Sequence, residues 1–149
     1  MQKTVLILIG MLLTSYAISQ HPVHWSYSVK KLSPTIYELH LTANIEEGWH
    51  VYSQRQPEDA IALPTKIKFN KNPLAKTNGP ILENGRLEKH KMETLEVEQY
   101  QYSNKVDFVQ VFELKRKEKI NITGSVTFQV CSEELCLPAQ EETFTLALL

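Results

Sequence analysis

Apolar and polar residues alternate with a period of two along most of the chain, the pattern of strands with one buried face. Tyr37, Leu39, Leu41, Ala43 and Ile45 alternate with Glu38, His40, Thr42 and Asn44. Ile67 and Phe69 alternate with Lys66 and Lys68, and Leu95 and Val97 with Glu96 and Glu98. Val126, Phe128 and Val130 alternate with Thr127 and Gln129, and Phe144, Leu146 and Leu148 close the chain in the same way. Residues 106–114 are apolar on both parities, as a central strand is. Turn formers punctuate these runs: Ser33-Pro34, Glu47-Gly48, Asn72-Pro73, Asn78-Gly79-Pro80, Asn84-Gly85 and Thr123-Gly124. No amphipathic helix, heptad, internal repeat or linker interrupts them. The pattern predicts a single all-β domain, an antiparallel sandwich. The mixed-charge stretch 86–98 reads as a loop running into a strand. Residues 54–64 and 71–92 read as long connections, suited to cover a site at one end of the sandwich.

The N-terminus departs from this pattern. Lys3 precedes an almost unbroken apolar run over residues 5–13, and Ala17-Ile18-Ser19 supplies small residues for cleavage. These three parts predict a secretory signal peptide over residues 1–19 and a mature domain over 20–149. The apolar run is well short of the roughly 20 residues of a spanning helix. No other segment is apolar enough to cross a bilayer, so the mature chain is expected without a membrane span. It is expected in an oxidising compartment where disulfides persist. Losing Lys3 leaves 15 basic residues against 17 acidic. That balance argues against a nucleic-acid partner, which needs a clustered basic surface.

Two cysteines carry the chemistry, in Val130-Cys131-Ser132-Glu133-Glu134-Leu135-Cys136-Leu137-Pro138. A four-residue connection is a common hairpin loop and places its flanking residues opposite each other, within disulfide reach. A bond closing so short a loop adds only about 2 kcal/mol through chain entropy. Cys131 shares parity with Thr127 and Gln129, which directs its sulfur away from the main core, toward solvent or a covering loop. Redox exchange and a plain staple both remain open on these grounds. Glu133 and Glu134 raise the thiol pKa, which disfavours a strongly oxidising cysteine. His21, His24, His40, His50 and His90 are scattered, with His40 at a polar, solvent-facing strand position. His21 and His24 offer at most a weak copper site, and no metal or other cofactor is expected.

The segment from Cys131 to Pro138, preceded by Val126-Thr127-Phe128-Gln129-Val130, resembles the active-site hairpin of the N-terminal periplasmic domain of the disulfide reductase DsbD. Glu47-Gly48-Trp49-His50-Val51-Tyr52 and Leu63-Pro64-Thr65 resemble two further segments of that family, in the same order. The resemblance runs from about Trp25 to Leu149 and is closest to the Bacteroidetes-type variant. It implies an immunoglobulin-like sandwich and a Cys131–Cys136 pair that cycles between dithiol and disulfide. It implies that Cys136 forms the mixed disulfide and Cys131 resolves it, with Tyr52 and His50 beside the pair. It also implies a place in the periplasm, fed by a thioredoxin-like protein and a membrane thiol transporter; the oligomeric state is open, with a monomer as the default. Its clients would be disulfide-bearing periplasmic proteins, namely disulfide isomerases or the cytochrome c maturation route. The chain departs from the family in spacing, with four residues between the cysteines where five are usual, and in Ala139 where a second proline is usual. The stretch matching the family's cap loop, residues 88–96, has no aromatic residue, leaving Met92 or Leu95 to shield the pair. The competing expectation is a secreted binding or adhesion module with an inert disulfide.

Overall fold

The computed structural model describes residues 21–149; the predicted signal peptide lies outside the described residues. The alternating runs form antiparallel strands. Tyr37, Leu39, Leu41 and Ala43 of β2 (Ile36–Ile45) are buried while the residues between them face outward. β2 lies between β1 (Val23–Lys31) and β8 (Lys105–Leu114), and β5 (Ala75–Gly85) closes that sheet in the order β1-β2-β8-β5. β8 is central, as its two-sided apolar pattern predicts. A second sheet has the order β11-β9-β4, from β11 (Gln140–Leu148), β9 (Ile120–Phe128) and β4 (Lys66–Phe69). The core fills the space between them: Trp25 packs 5.8 Å from Phe108 and 5.3 Å from Phe128, and Phe69 packs 5.0 Å from Phe112. None of the described residues is helical, and no helix among them is long and apolar enough to cross a membrane. The fold is an immunoglobulin-like β-sandwich.

A third, smaller sheet has the order β10-β3-β7-β6 and carries the cysteines. It is built from β10 (Val130–Cys131), β3 (His50–Tyr52), β7 (Val97–Ser103) and β6 (Glu88–Met92). The chain breaks its ladder at Gln129, where it leaves the β9 sheet and joins β3 instead. Val130, Val51 and Tyr102 still face the common core.

Five expectations are corrected. Residues 71–92 are not a long connection, because β5 and β6 occupy most of them. Both are edge strands with largely exposed residues, so burial imposes no alternation to read. Asn78-Gly79-Pro80 makes a bulge in β5, with the register shifting between Asn78 and Leu82 and Gly79 at φ 80°. Leu95 is not in a strand: it sits exposed in the turn from β6 to β7. Thr123-Gly124 is not a turn but the middle of β9. A Cβ on Gly124 would overlap the Lys68 carbonyl oxygen and meet the Phe144 ring at 2.6 Å, so a side chain is excluded there. His40 is half-buried rather than solvent-facing, with Nδ1 2.7 Å from Asp107 Oδ2.

Residues 54–64 do form a strandless connection, but it is tied to the sandwich. Glu83 accepts hydrogen bonds from Ser53 Oγ (2.6 Å), the Gln54 amide (2.7 Å) and Tyr102 OH (2.7 Å). Gln56 Nε2 donates to the Tyr100 carbonyl at 2.6 Å, and the Tyr100 amide donates back to Gln56 Oε1 at 3.0 Å.

Candidate functional site

The cysteine hairpin follows from its local hydrogen bonds. The Ser132 amide donates to the Leu135 carbonyl at 2.8 Å, and the Leu137 amide to the Val130 carbonyl at 2.9 Å. Ser132 Oγ accepts from the Glu134 and Leu135 amides, both at 3.2 Å, which fixes the loop. Cys131 and Cys136 thereby face each other as an antiparallel bridge, with Cα atoms 4.0 Å apart, and are joined as a disulfide. The four-residue spacing predicts this arrangement.

The two sulfurs sit in unlike surroundings. Cys136 is exposed, whereas Cys131 is only 1% exposed. Parity places Cys131 correctly on the face opposite the main core, and it is absent from the core cluster. Yet that face does not open Cys131 to water.

Strand register explains what surrounds the pair. Cys131 is the cross-strand partner of His50, and His50 of Ser103. Two residues along, on the same face, Tyr52 pairs with Gln101 and Gln101 with Glu88. Further along β7 and β6, Gln99 pairs with His90. A cleft of about 270 Å³ lies here, lined by the hairpin loop and, among others, by His50, Tyr52, His90, Met92, Gln101 and Cys136. Inside it, His50 Nε2 lies 3.4 Å from Tyr52 OH, and the two rings meet edge to face at 5.3 Å. Gln99 Nε2 lies 2.6 Å from Met92 Sδ.

Burial and the charges around the cleft set the electrostatics. Burial holds the His50 pKa below its ordinary value; the Glu133 carboxylate opposes that shift, His90 adds to it, and Glu88 opposes it. Burial raises the Tyr52 pKa, and Glu133 raises it further. Glu133 thus reaches the cleft from the hairpin loop itself.

Of the residues singled out in the sequence, Cys131, Cys136, His50, Tyr52 and Met92 come together here. Leu95 does not line the cleft, and neither does any residue of 54–64. His90, Gln99 and Gln101 are the lining residues that sequence reasoning missed. Their signal is a polar alternation, Glu88-His90-Met92 against Gln99-Gln101, which becomes legible only once β6 and β7 are paired. Among the described residues no group of three or more His, Cys, Asp or Glu is arranged to hold a metal ion.

The family described as "Thiol:disulfide interchange protein DsbD, N-terminal" matches residues 21–148. Among solved structures, the N-terminal periplasmic domain of ScsB from Proteus mirabilis is similar at 16% identity and a TM-score of 0.60, over 85% of this chain. This chain spans only 47% of that one. The reduced DsbD N-terminal domain of Neisseria meningitidis is similar at 14% identity and a TM-score of 0.53, over 83% of this chain and 84% of that one. The complex between the DsbD and PilB N-terminal domains from Neisseria meningitidis contains a chain similar at 15% identity and a TM-score of 0.50, over 81% of this chain and 80% of that one. No curated protein sequence matches the chain.

Proposed function

The chain belongs to the family of N-terminal domains of the thiol:disulfide interchange protein DsbD, and from that premise we propose that it relays reducing equivalents through Cys131 and Cys136 in the periplasm. Residues 20–149 act as one domain behind a leader over residues 1–19. The observation that carries the reading is the asymmetry of the disulfide: an exposed cysteine, Cys136, lines the cleft and is bonded to a buried one, Cys131.

In the accepting direction, a thiolate of a thioredoxin-like partner attacks Cys136 Sγ in line with the S–S bond. A mixed disulfide forms, and the electron pair of the broken bond leaves on Cys131 Sγ. A second partner thiol resolves the mixed disulfide, leaving the domain as a dithiol and the partner oxidised. In the donating direction, the Cys136 thiolate attacks a client disulfide and Cys131 resolves the product at high effective concentration. Each full cycle moves two electrons. A thioredoxin-like partner is supported by the family's chemistry, and the complex of related domains from Neisseria meningitidis shows a DsbD N-terminal domain bound to another protein's domain. A membrane thiol transporter upstream and disulfide-bearing periplasmic clients downstream complete the proposed route. The name of the similar ScsB domain supports the periplasmic placement.

The test is the reduction potential of the Cys131–Cys136 bond, measured by equilibrating the domain in glutathione or dithiothreitol buffers. A value in the range of exchange proteins, roughly −180 to −270 mV, is expected. A value well below about −300 mV would leave a stapled binding module in place of a relay. Cys131→Ala, which keeps the exposed Cys136, is expected to accumulate the mixed disulfide with the partner.

A further inference from the structure

We infer that His50 takes the proton of the Cys131 thiol when Cys131 closes the disulfide, an inference that rests on the exchange reading above. Closure needs a thiolate at Cys131, and Cys131 is badly placed to form one unaided. It is 1% exposed, so water does not stabilise the charge. The loop that joins the two cysteines carries Glu133, a like charge that opposes a thiolate there as well. A neighbouring proton acceptor is therefore required for fast closure at neutral pH.

His50 is in the position to accept. It is the direct cross-strand partner of Cys131, so the two Cβ atoms project from neighbouring strands to the same face, about 5 Å apart. Its ring is buried in the same cleft, edge-on to Tyr52. The other groups facing it are Glu133 from the hairpin, Glu88 and His90 from β6, Tyr52 from its own strand, and the neutral Ser103 and Gln101 from β7. No lysine or arginine is among the groups that act on it. Burial keeps the imidazole neutral at neutral pH, which is the form that accepts a proton.

The step balances as follows. The Cys131 thiol gives its proton to His50, and the thiolate attacks Cys136 Sγ of the mixed disulfide. The Cys131–Cys136 bond forms, the bond from Cys136 to the partner sulfur breaks, and that sulfur leaves as a thiolate with the electron pair. The imidazolium then returns its proton to solvent. In reverse, the same imidazolium protonates Cys131 as it leaves. His50 is thus more than a shielding group.

The experiment uses the reduced domain and dithiodipyridine in a stopped-flow instrument. Attack by Cys136 releases one thiopyridone, and closure by Cys131 releases the second, so the second phase isolates the step. In wild type, the second phase is expected to stay level across neutral pH and to slow only as pH falls through the His50 ionisation, which burial holds below the ordinary 6.5. In His50→Gln it is expected to be about thirtyfold slower near pH 7, the ratio set by a thiol only a few per cent ionised there. The gap is expected to narrow as pH rises toward the thiol's own ionisation. A second phase slowed by one constant factor at every pH would mean packing only and would overturn the inference. So would equal rates. Should the variant fail to fold, the wild-type profile decides alone: a second phase that falls in proportion to thiolate at every pH below the thiol's own ionisation, with no level region at neutral pH, overturns the role. A wild type that never releases a second thiopyridone rejects the exchange reading itself.

Discussion

β9 and β10 are consecutive stretches of one run of chain, separated by Gln129, and they are held in opposite ways. β9 is paired along its nine residues with β11 and along four with β4. Its Gly124 lets the Lys68 carbonyl and the Phe144 ring approach closer than any side chain would allow. β10 has two residues, pairs with β3 along both, and is bridged and covalently bonded at Cys131 to Cys136 of its own hairpin. The first stretch is fixed by packing against remote parts of the chain. The second is fixed by its own hairpin, so its bond is free to open without dismantling the core.

Gly124→Ala breaks the first half of this comparison. It is expected to cost about 3 kcal/mol by urea unfolding, because the new methyl meets backbone that cannot yield. The reduction potential should stay unchanged, and a variant as stable as wild type would refute this account of β9. Reducing the disulfide probes the second half. It is expected to lower stability by only about 2 kcal/mol, the chain-entropy contribution of so short a loop. Loss of the folded transition on reduction would show the bond to be a staple of the whole fold. The finest cut is Glu133→Gln. Removing that charge lowers the thiol pKa values, so alkylation of the reduced pair by iodoacetamide should speed up about twofold at neutral pH, a small effect because the carboxylate is exposed. A slower reaction would show that Glu133 does not act on the thiols as a like charge does.

The same contrast governs what the sequence discloses. β2, β9 and β11 bury one face against the core, and their alternation states their place directly, while β8 is marked by apolar residues on both parities. β5 and β6 run along sheet edges with most residues in water, so no burial pattern marks them, and Asn78-Gly79-Pro80 reads as a turn when it is a bulge. Thr123-Gly124 misleads for the reverse reason: glycine there serves close approach in a strand interior, which composition cannot tell from a turn. The cysteine hairpin was legible because its geometry is local. Only part of its surroundings was. His50 and Tyr52 were visible through a family resemblance, whereas His90, Gln99 and Gln101 arrive through the pairing of β6 with β7, a contact the sequence carries in no nearby residue.

The topology also separates the chain's folding from its redox state. The sandwich depends on remote pairings such as β2 with β8 and β4 with β9, which are slow to find. The cysteines stand five positions apart and are the only two in the chain, so one pairing exists and a loop that short closes in well under a microsecond once extended ends are free to meet. Oxidation cannot trap a wrong topology, and a disulfide isomerase has nothing to correct here. In the proposed exchange, each oxidation and reduction would therefore act on a fold whose remote pairings are already made.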